Sequence, residues 1–333
     1  MRERASLYIY SMSRSTNPSV TLALVVVLSL LLAGTPARAR PVDTCRVGIF
    51  VISLYDLDFP NDSFTADFWL WFLYPNDSLN ALGTVEIAGA KKYEFQHQDV
   101  DEKLGLNWAT MKCKGIIRQD WDVSDFPFDR QVLKIVFESA DADTSELVYV
   151  ADTKNSAIDS SIRIDGWDLK GFALNGGTRT YATTYGDPTL KSSSSYATVV
   201  ATIDIQRNGL RLFLKSFTGV YVAFLIAILG FFIDPVEVDP RFGLPVGALF
   251  ATVGNKYIVD GILPDTTTFT LVDTIHTITF FYILATVIGS VISLALAKRG
   301  RSELSRRFDR WAFAFCCFTY TVYNAVIVVG AAT

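Results

Sequence analysis

Side chains able to do chemistry are few in this sequence. His97 and His276 are its only histidines, and its four cysteines are Cys45, Cys113 and the adjacent pair Cys316 and Cys317. No His/Cys grouping has metal-ligand spacing, and no Gly-rich phosphate loop or nucleophile motif is present. Catalysis, a metal and a cofactor are therefore not expected. What the spacing does build is a passage. In 241–264, RFGLPVGALFATVGNKYIVDGILP, the residues Gly243, Gly247, Phe250, Gly254, Tyr257 and Gly261 stack within about 40° of one line on a helix. Glycines inside a helix cost roughly 1 kcal/mol each against alanine. A helix facing only lipid gains nothing from them, whereas close packing or a narrow passage does. We read this face as a pore lining with Phe250 as its constriction. Two alternatives stay open on spacing alone: small-residue helix packing, or a water-facing side made of Ala248, Thr252 and Asn255 near Lys256, because an intramembrane lysine needs a partner or a cavity.

The chain that must position this helix has 333 residues, half of them hydrophobic. The apolar content is concentrated in one N-terminal run and in four runs after residue 209. Arg2, Arg4 and Arg14 precede the apolar stretch 20–33, and Ala37 and Ala39 follow in A-x-A spacing, so 1–39 reads as a secretory signal peptide. Fourteen apolar residues fall short of the roughly 20 that a span needs. Residues 40–206 then form an exported domain and 207–333 a membrane domain, with spans expected at 212–233, 244–263, 275–297 and 311–329. Lys298, Arg299, Arg301, Arg306, Arg307 and Arg310 crowd the third connection, while 265–273 holds no Lys or Arg. The positive-inside rule therefore predicts that loop 298–310 is cytoplasmic. The expectation is a multi-pass protein of the cell (inner) membrane with its N-terminal domain periplasmic or extracellular. In that oxidising space Cys45 and Cys113 are candidates for a disulfide, which spacing alone does not decide. Cys316 and Cys317 are adjacent on a helix and read as apolar filling.

The exported domain alternates and is rich in β-branched and aromatic residues, notably around Val47, Phe68, Gly115, Val132, Leu147 and Ala197. Turn clusters begin at Phe59, Tyr74, Asn175 and Gly186. Many short strands with no helical period between them predict a β-sandwich, followed by a four-helix transmembrane bundle.

The segment from Trp121 to Gln131 reads WDVSDFPFDRQ. Pro127 between Phe126 and Phe128 makes a rigid apolar tip, with the Asp129 carboxylate behind it, suited to pressing on a membrane domain. This segment resembles the signature loop of the pentameric ligand-gated ion channels, the Cys-loop receptor superfamily. The bridging cysteines of the animal receptors would fall at Gln119 and Leu133, so the loop is unbridged, as in the prokaryotic members. Sandwich, four spans and a short third connection follow the family's order over about residues 45–330. Pro240, Arg241, Gly243 and Leu244 resemble the start of the family's second span, and Leu263 and Pro264 resemble its end. The resemblance implies pore-lining positions at Gly243, Gly247, Phe250, Gly254 and Tyr257, with Asp239 at the inner mouth, and so favours the glycine face. Ser or Thr is usual in the family where Gly243 and Gly247 stand.

The same resemblance implies that Arg207 joins sandwich to membrane through Asp129 and Asp58, beside Phe126, Pro127, Phe128 and Pro264. Without it, a surface ion pair worth under about 1 kcal/mol is the simpler reading. It also implies an agonist site under a hairpin at 181–195, where Tyr181 and Tyr185 are able to cover a cation and Trp71 supplies another wall. Region 152–158 lacks the aromatic residue of amine receptors, and the ligand expected is a small molecule, a proton or a cation. Lys256 is expected to meet Asp273 or His276. Residues 41–206 carry 25 acidic against 14 basic side chains; with Asp239, Asp260 and Asp265 at the mouths this leans toward cations, while Arg241 argues the other way. The expected partners are four further copies of the chain and the lipid bilayer, with no nucleic acid. The alternative function is a membrane-anchored ligand-binding or sensor protein of the same fold that does not conduct.

Overall fold

The computed structural model describes residues 42–188 and 192–332; the expected signal peptide lies outside the described residues. Ten strands come first: β1 (Asp43–Asp58), β2 (Ser63–Tyr74), β3 (Val85–Ala88), β4 (Ala90–Lys103), β5 (Leu106–Arg118), β6 (Arg130–Asp143), β7 (Leu147–Ala151), β8 (Ala157–Ile158), β9 (Trp167–Tyr181) and β10 (Ser194–Arg207). One sheet runs β4-β5-β2-β1-β7, with β8 also paired to β1, and the other runs β3-β6-β10-β9.

Alternation in the sequence becomes the two faces of each sheet. Along β2, Phe64, Ala66, Phe68, Leu70 and Phe72 point into the core, and Leu133, Ile135 and Phe137 of β6 meet Val199, Ala201 and Ile203 of β10 on the opposing wall. Phe68 and Phe137 touch edge to face across the sheets with centroids 5.5 Å apart, so the sandwich is closed by its aromatic residues.

Three expectations are corrected here. Cys45 and Cys113 are both free and buried. Cys113 pairs with Phe68 of β2, whereas Cys45 lies one residue beyond the Arg46–Leu73 pair. About six residues of strand, roughly 20 Å, therefore part them, too far for a bridge. Burial in the apolar core pushes both thiols up to about 12. Second, Asn175, Gly176 and Gly177 form no turn but the middle of β9, paired with Val200, Val199 and Thr198. A side chain at Gly176 would come within 3.0 Å of the Tyr149 carbonyl oxygen of β7, so glycine here serves a close backbone approach. Third, the basic stretch 298–310 is mostly helix, with only three residues between the last two helices.

Four long helices follow: α1 (Gly209–Leu229), continued by a 3-10 turn over Gly230–Phe232, α2 (Val238–Asp260), α3 (Leu271–Lys298) and α4 (Ser302–Ala332). All four are long and apolar enough to cross a membrane. Thr270 and Asp273 form a reciprocal capping box at the start of α3, which satisfies two of its orphan N–H groups. At 31 residues, α4 is about 46 Å long, longer than the roughly 30 Å hydrocarbon core. Its last turn reaches the signature loop, where Ala331 and Ala332 share a cavity wall with Ser124 and Phe128.

Candidate functional site

The junction between sandwich and bundle is built on Arg207, the last residue of β10. Its Nε donates to Asp129 Oδ1 at 2.7 Å and its Nη2 to Asp129 Oδ2 at 3.2 Å, and its backbone N–H donates to the Asp129 carbonyl. Gln131 Nε2 donates to the same carboxylate at 2.8 Å. Asp129 is buried, and the Arg207 side chain is 11% exposed. Bidentate geometry with a third donor on the carboxylate is what a desolvated pair needs to offset its lost hydration. The second carboxylate expected on Arg207 is absent: Asp58 caps its own turn, accepting from the backbone and side-chain nitrogens of Asn61. Aromatic rings take that place instead. The guanidinium lies 4.1 Å from the Trp167 ring centroid, 4.6 Å from Phe59 and 5.0 Å from Phe126. Quadrupolar faces stabilise a cation at little desolvation cost, so one carboxylate suffices.

The signature loop held by this pair touches the bundle at three points. A side chain at Gly209, the first residue of α1, would fall 2.3 Å from the Pro127 carbonyl oxygen, so only glycine lets the helix begin beneath the loop. Phe128 packs on Phe213 with centroids 5.6 Å apart. The Leu271 N–H at the head of α3 donates to the Ser124 carbonyl at 2.8 Å. Leu263 and Pro264, beyond α2, are buried nearby. Displacement of the loop therefore bears directly on α1 and α3.

On α2 the buried residues are Arg241, Pro245, Ala248, Thr252 and Val259, which cluster on the side about 170° round from the glycine stripe. Phe250 is 72% and Tyr257 83% exposed in the single chain, and nothing lies within 4 Å of a side chain built at Gly243, Gly247 or Gly254. Asp239 is exposed at the start of the helix. The stripe is thus turned away from the other three helices, and the Ala248–Thr252 side is the packed one. Lys256 reaches Asp273 at 2.7 Å and Asp260 at 2.9 Å. His276 instead contacts Asn255 Oδ1 and the Val272 carbonyl. Arg241 is wholly buried, donating to Asp309 Oδ1 of α4 at 2.6 Å, well off the stripe.

The hairpin joining β9 to β10 brings Tyr181 and Tyr185 together with Tyr196, which the sequence reading did not single out; the three centroids lie 5.9 to 6.4 Å apart. Beneath them on the outer face of the same sheet is Glu138, 3% exposed, with Arg179 Nη1 at 4.0 Å and no hydrogen bond to its Oε2 among the described residues. Burial pushes the Glu138 carboxyl above the usual carboxylate range, against the pulls of the Tyr181 hydroxyl and of Arg179. Burial likewise raises Tyr181 to about 12, with Glu138 adding to it. Three tyrosine rings therefore cluster over one buried carboxylate on this face. Trp71 is not part of this cluster within one chain; it stands on the other sheet and donates from Nε1 to Asp152 at 3.1 Å. Tyr196 was legible in principle, because Tyr181 and Ser194 close the hairpin and put it in the same row.

The chain thus joins a β-sandwich, with an aromatic cluster over a buried carboxylate on its outer face, through one loop to four helices long and apolar enough to cross a membrane. Residues 117–209 match the family described as "Neurotransmitter-gated ion-channel ligand binding domain". The matched stretch takes in the signature loop, Glu138, the tyrosine hairpin and Arg207; the earlier strands and the helices lie outside it. In that matched stretch and in the four helices long enough to cross a membrane, the chain is similar to the ligand-gated ion channels of the Cys-loop receptor superfamily, without their bridging cysteines. No curated protein matches it significantly.

Proposed function

We propose that the chain is one subunit of a homopentameric channel, selective for cations, that opens when a ligand binds the sandwich outside the cell membrane. Five copies of α2 surround the axis with Gly243, Gly247, Phe250, Gly254 and Tyr257 inward, and Phe250 forms the gate. The observation that carries this reading is the bare stripe of α2: a helix that forgoes side chains on one face, and turns that face away from its own bundle, is suited to a shared axis. Arg207, Asp129 and the Phe126–Pro127–Phe128 tip transmit movement of the sandwich to α1, to α3 and to Pro264 after α2. The ligand is a small cation held by Tyr181, Tyr185 and Tyr196 over Glu138, with Trp71 of the adjoining copy as a further wall. The sandwich stands on the periplasmic or extracellular side, and the basic turn at Arg299 and Arg301 on the cytoplasmic side.

Purified protein reconstituted in planar bilayers tests the reading. Current on addition of small amines, with Phe250→Ala conducting in their absence, is the expected result. Ligand binding without current from an intact oligomer would instead identify a non-conducting sensor of the same fold.

A further inference from the structure

His276 of α3 is wholly buried and takes no part in the junction or the stripe. Its Nδ1 lies 2.8 Å from the Val272 carbonyl oxygen one turn earlier on α3, and its Nε2 lies 3.0 Å from Asn255 Oδ1 of α2. Both ring nitrogens therefore face an oxygen, yet a neutral imidazole has one N–H to donate. The Val272 carbonyl belongs to the helix backbone and cannot turn away, so it keeps a proton on Nδ1. Nε2 then has two satisfied states. It carries a second proton and donates to Asn255 Oδ1, or it stays bare and accepts from Asn255 Nδ2 once the amide has turned over. A ring nitrogen left without a partner here would carry the desolvation penalty of a buried polar group.

The amide has a third neighbour. A side chain at Gly219 of α1 would come 3.1 Å from Asn255 Nδ2, so turning the amide over changes the group that α2 presents to α1 from a donor to an acceptor. Charge around the ring is uneven as well. Lys256 of α2 binds both Asp260 and Asp273, which leaves one negative charge in surplus, and Asp273 stands three residues before His276 on the same side of α3. That surplus favours a proton on the ring, while burial and the Lys256 ammonium oppose it. From α1 comes the Phe217 ring, its centroid 5.9 Å from the imidazole, and Arg211 and Lys215 of that helix are exposed. Beyond Arg310, α4 has no charged residue, and its Tyr320 hydroxyl is bound to Thr279 Oγ1 at 2.8 Å. We propose that His276 is a proton-binding switch at the meeting of α1, α2 and α3. A proton from water, entering past the part-exposed Lys256 and Asp273, binds the lone pair of Nε2, turns the Asn255 amide and resets the contacts of α2 with both neighbours. The proposal rests on the packing of the helices and not on conduction.

The test is nitrogen NMR of the full chain in detergent micelles, with the histidine rings labelled. His97 and His276 are the only histidines, so His97→Gln leaves a single ring to observe. Between about pH 8 and about pH 5 that ring should pass from one N–H, on Nδ1, to two. Asn255→Leu offers Nε2 neither donor nor acceptor and should lose the second N–H throughout this range. Asn255→Asp should keep both N–H groups throughout it. Hydrogen exchange over residues 250–258 of α2, corrected for the intrinsic effect of pH on exchange, should differ between the two ends of the range and lose that difference in His276→Gln. A ring with one N–H at every pH, a second N–H that persists in Asn255→Leu, or a pH-dependent exchange that survives His276→Gln would each overturn the proposal. Should His276→Gln fail to fold, Asn255→Leu is read by the same exchange measurement, with the same loss expected.

Discussion

The Arg207 guanidinium is bound by one carboxylate and enclosed by three rings, an arrangement that tolerates loss of either charge poorly. Removing one partner of a buried pair strands the other and costs about 3–5 kcal/mol. Arg207→Ala should therefore lower the stability of the sandwich by that order in a denaturant titration. Arg207→Ala with Asp129→Asn should cost less than the sum of the two single changes, and strict additivity would remove the pair as the joint. Glu138 makes a second test. Burial raises its carboxyl in the folded chain, so the folded state holds the proton more tightly than the unfolded one. Its contribution to stability is full below the ordinary value near 4.5 and is lost as pH rises through the raised value. Thermal melts across this range should lose that slope in Glu138→Gln; an unchanged slope would place the titration elsewhere.

Two elements turn these residues into a machine part. The signature loop is pinned by Asp129 from above and rests on Gly209, Phe213 and Leu271 below, so it has no slack in which to absorb a movement of β10. In α2 the glycines meet nothing in their own subunit, and this separates two uses of them. Gly247→Ala should stabilise the isolated helix by roughly 1 kcal/mol while narrowing a shared axis. Higher thermal stability with smaller single-channel conductance is the expected pair of results. Loss of oligomer instead, by size exclusion with light scattering, would assign the stripe to helix packing between copies.

For the whole molecule, the match over residues 117–209 to a ligand-binding domain and the four apolar helices support the proposed membrane receptor, whose assembly gives the exposed faces their meaning. In the proposed pentamer, five acidic sandwiches above five Asp239 side chains would concentrate cations at both mouths. Asp239→Lys should shift the reversal potential in a salt gradient toward the anion value, and an unmoved potential would dissociate selectivity from the inner mouth.

The sequence by itself determined the strand-rich half, the four apolar spans, the glycine stripe and the signature loop, because these depend on period and on neighbours close in the chain. The Lys256–Asp273 contact was likewise within reach, since helical angle and span order bring the two residues together. Only the tertiary structure decided that Cys45 and Cys113 lie too far apart to bridge, that β9 runs straight through Asn175, Gly176 and Gly177, and that Phe59, Phe126 and Trp167 replace Asp58 around Arg207. It alone brought Glu138 under three tyrosines and tied Arg241 to Asp309. Each of these depends on strand register or on helices meeting across many intervening residues, and such distances are set by packing of the whole rather than by any local pattern.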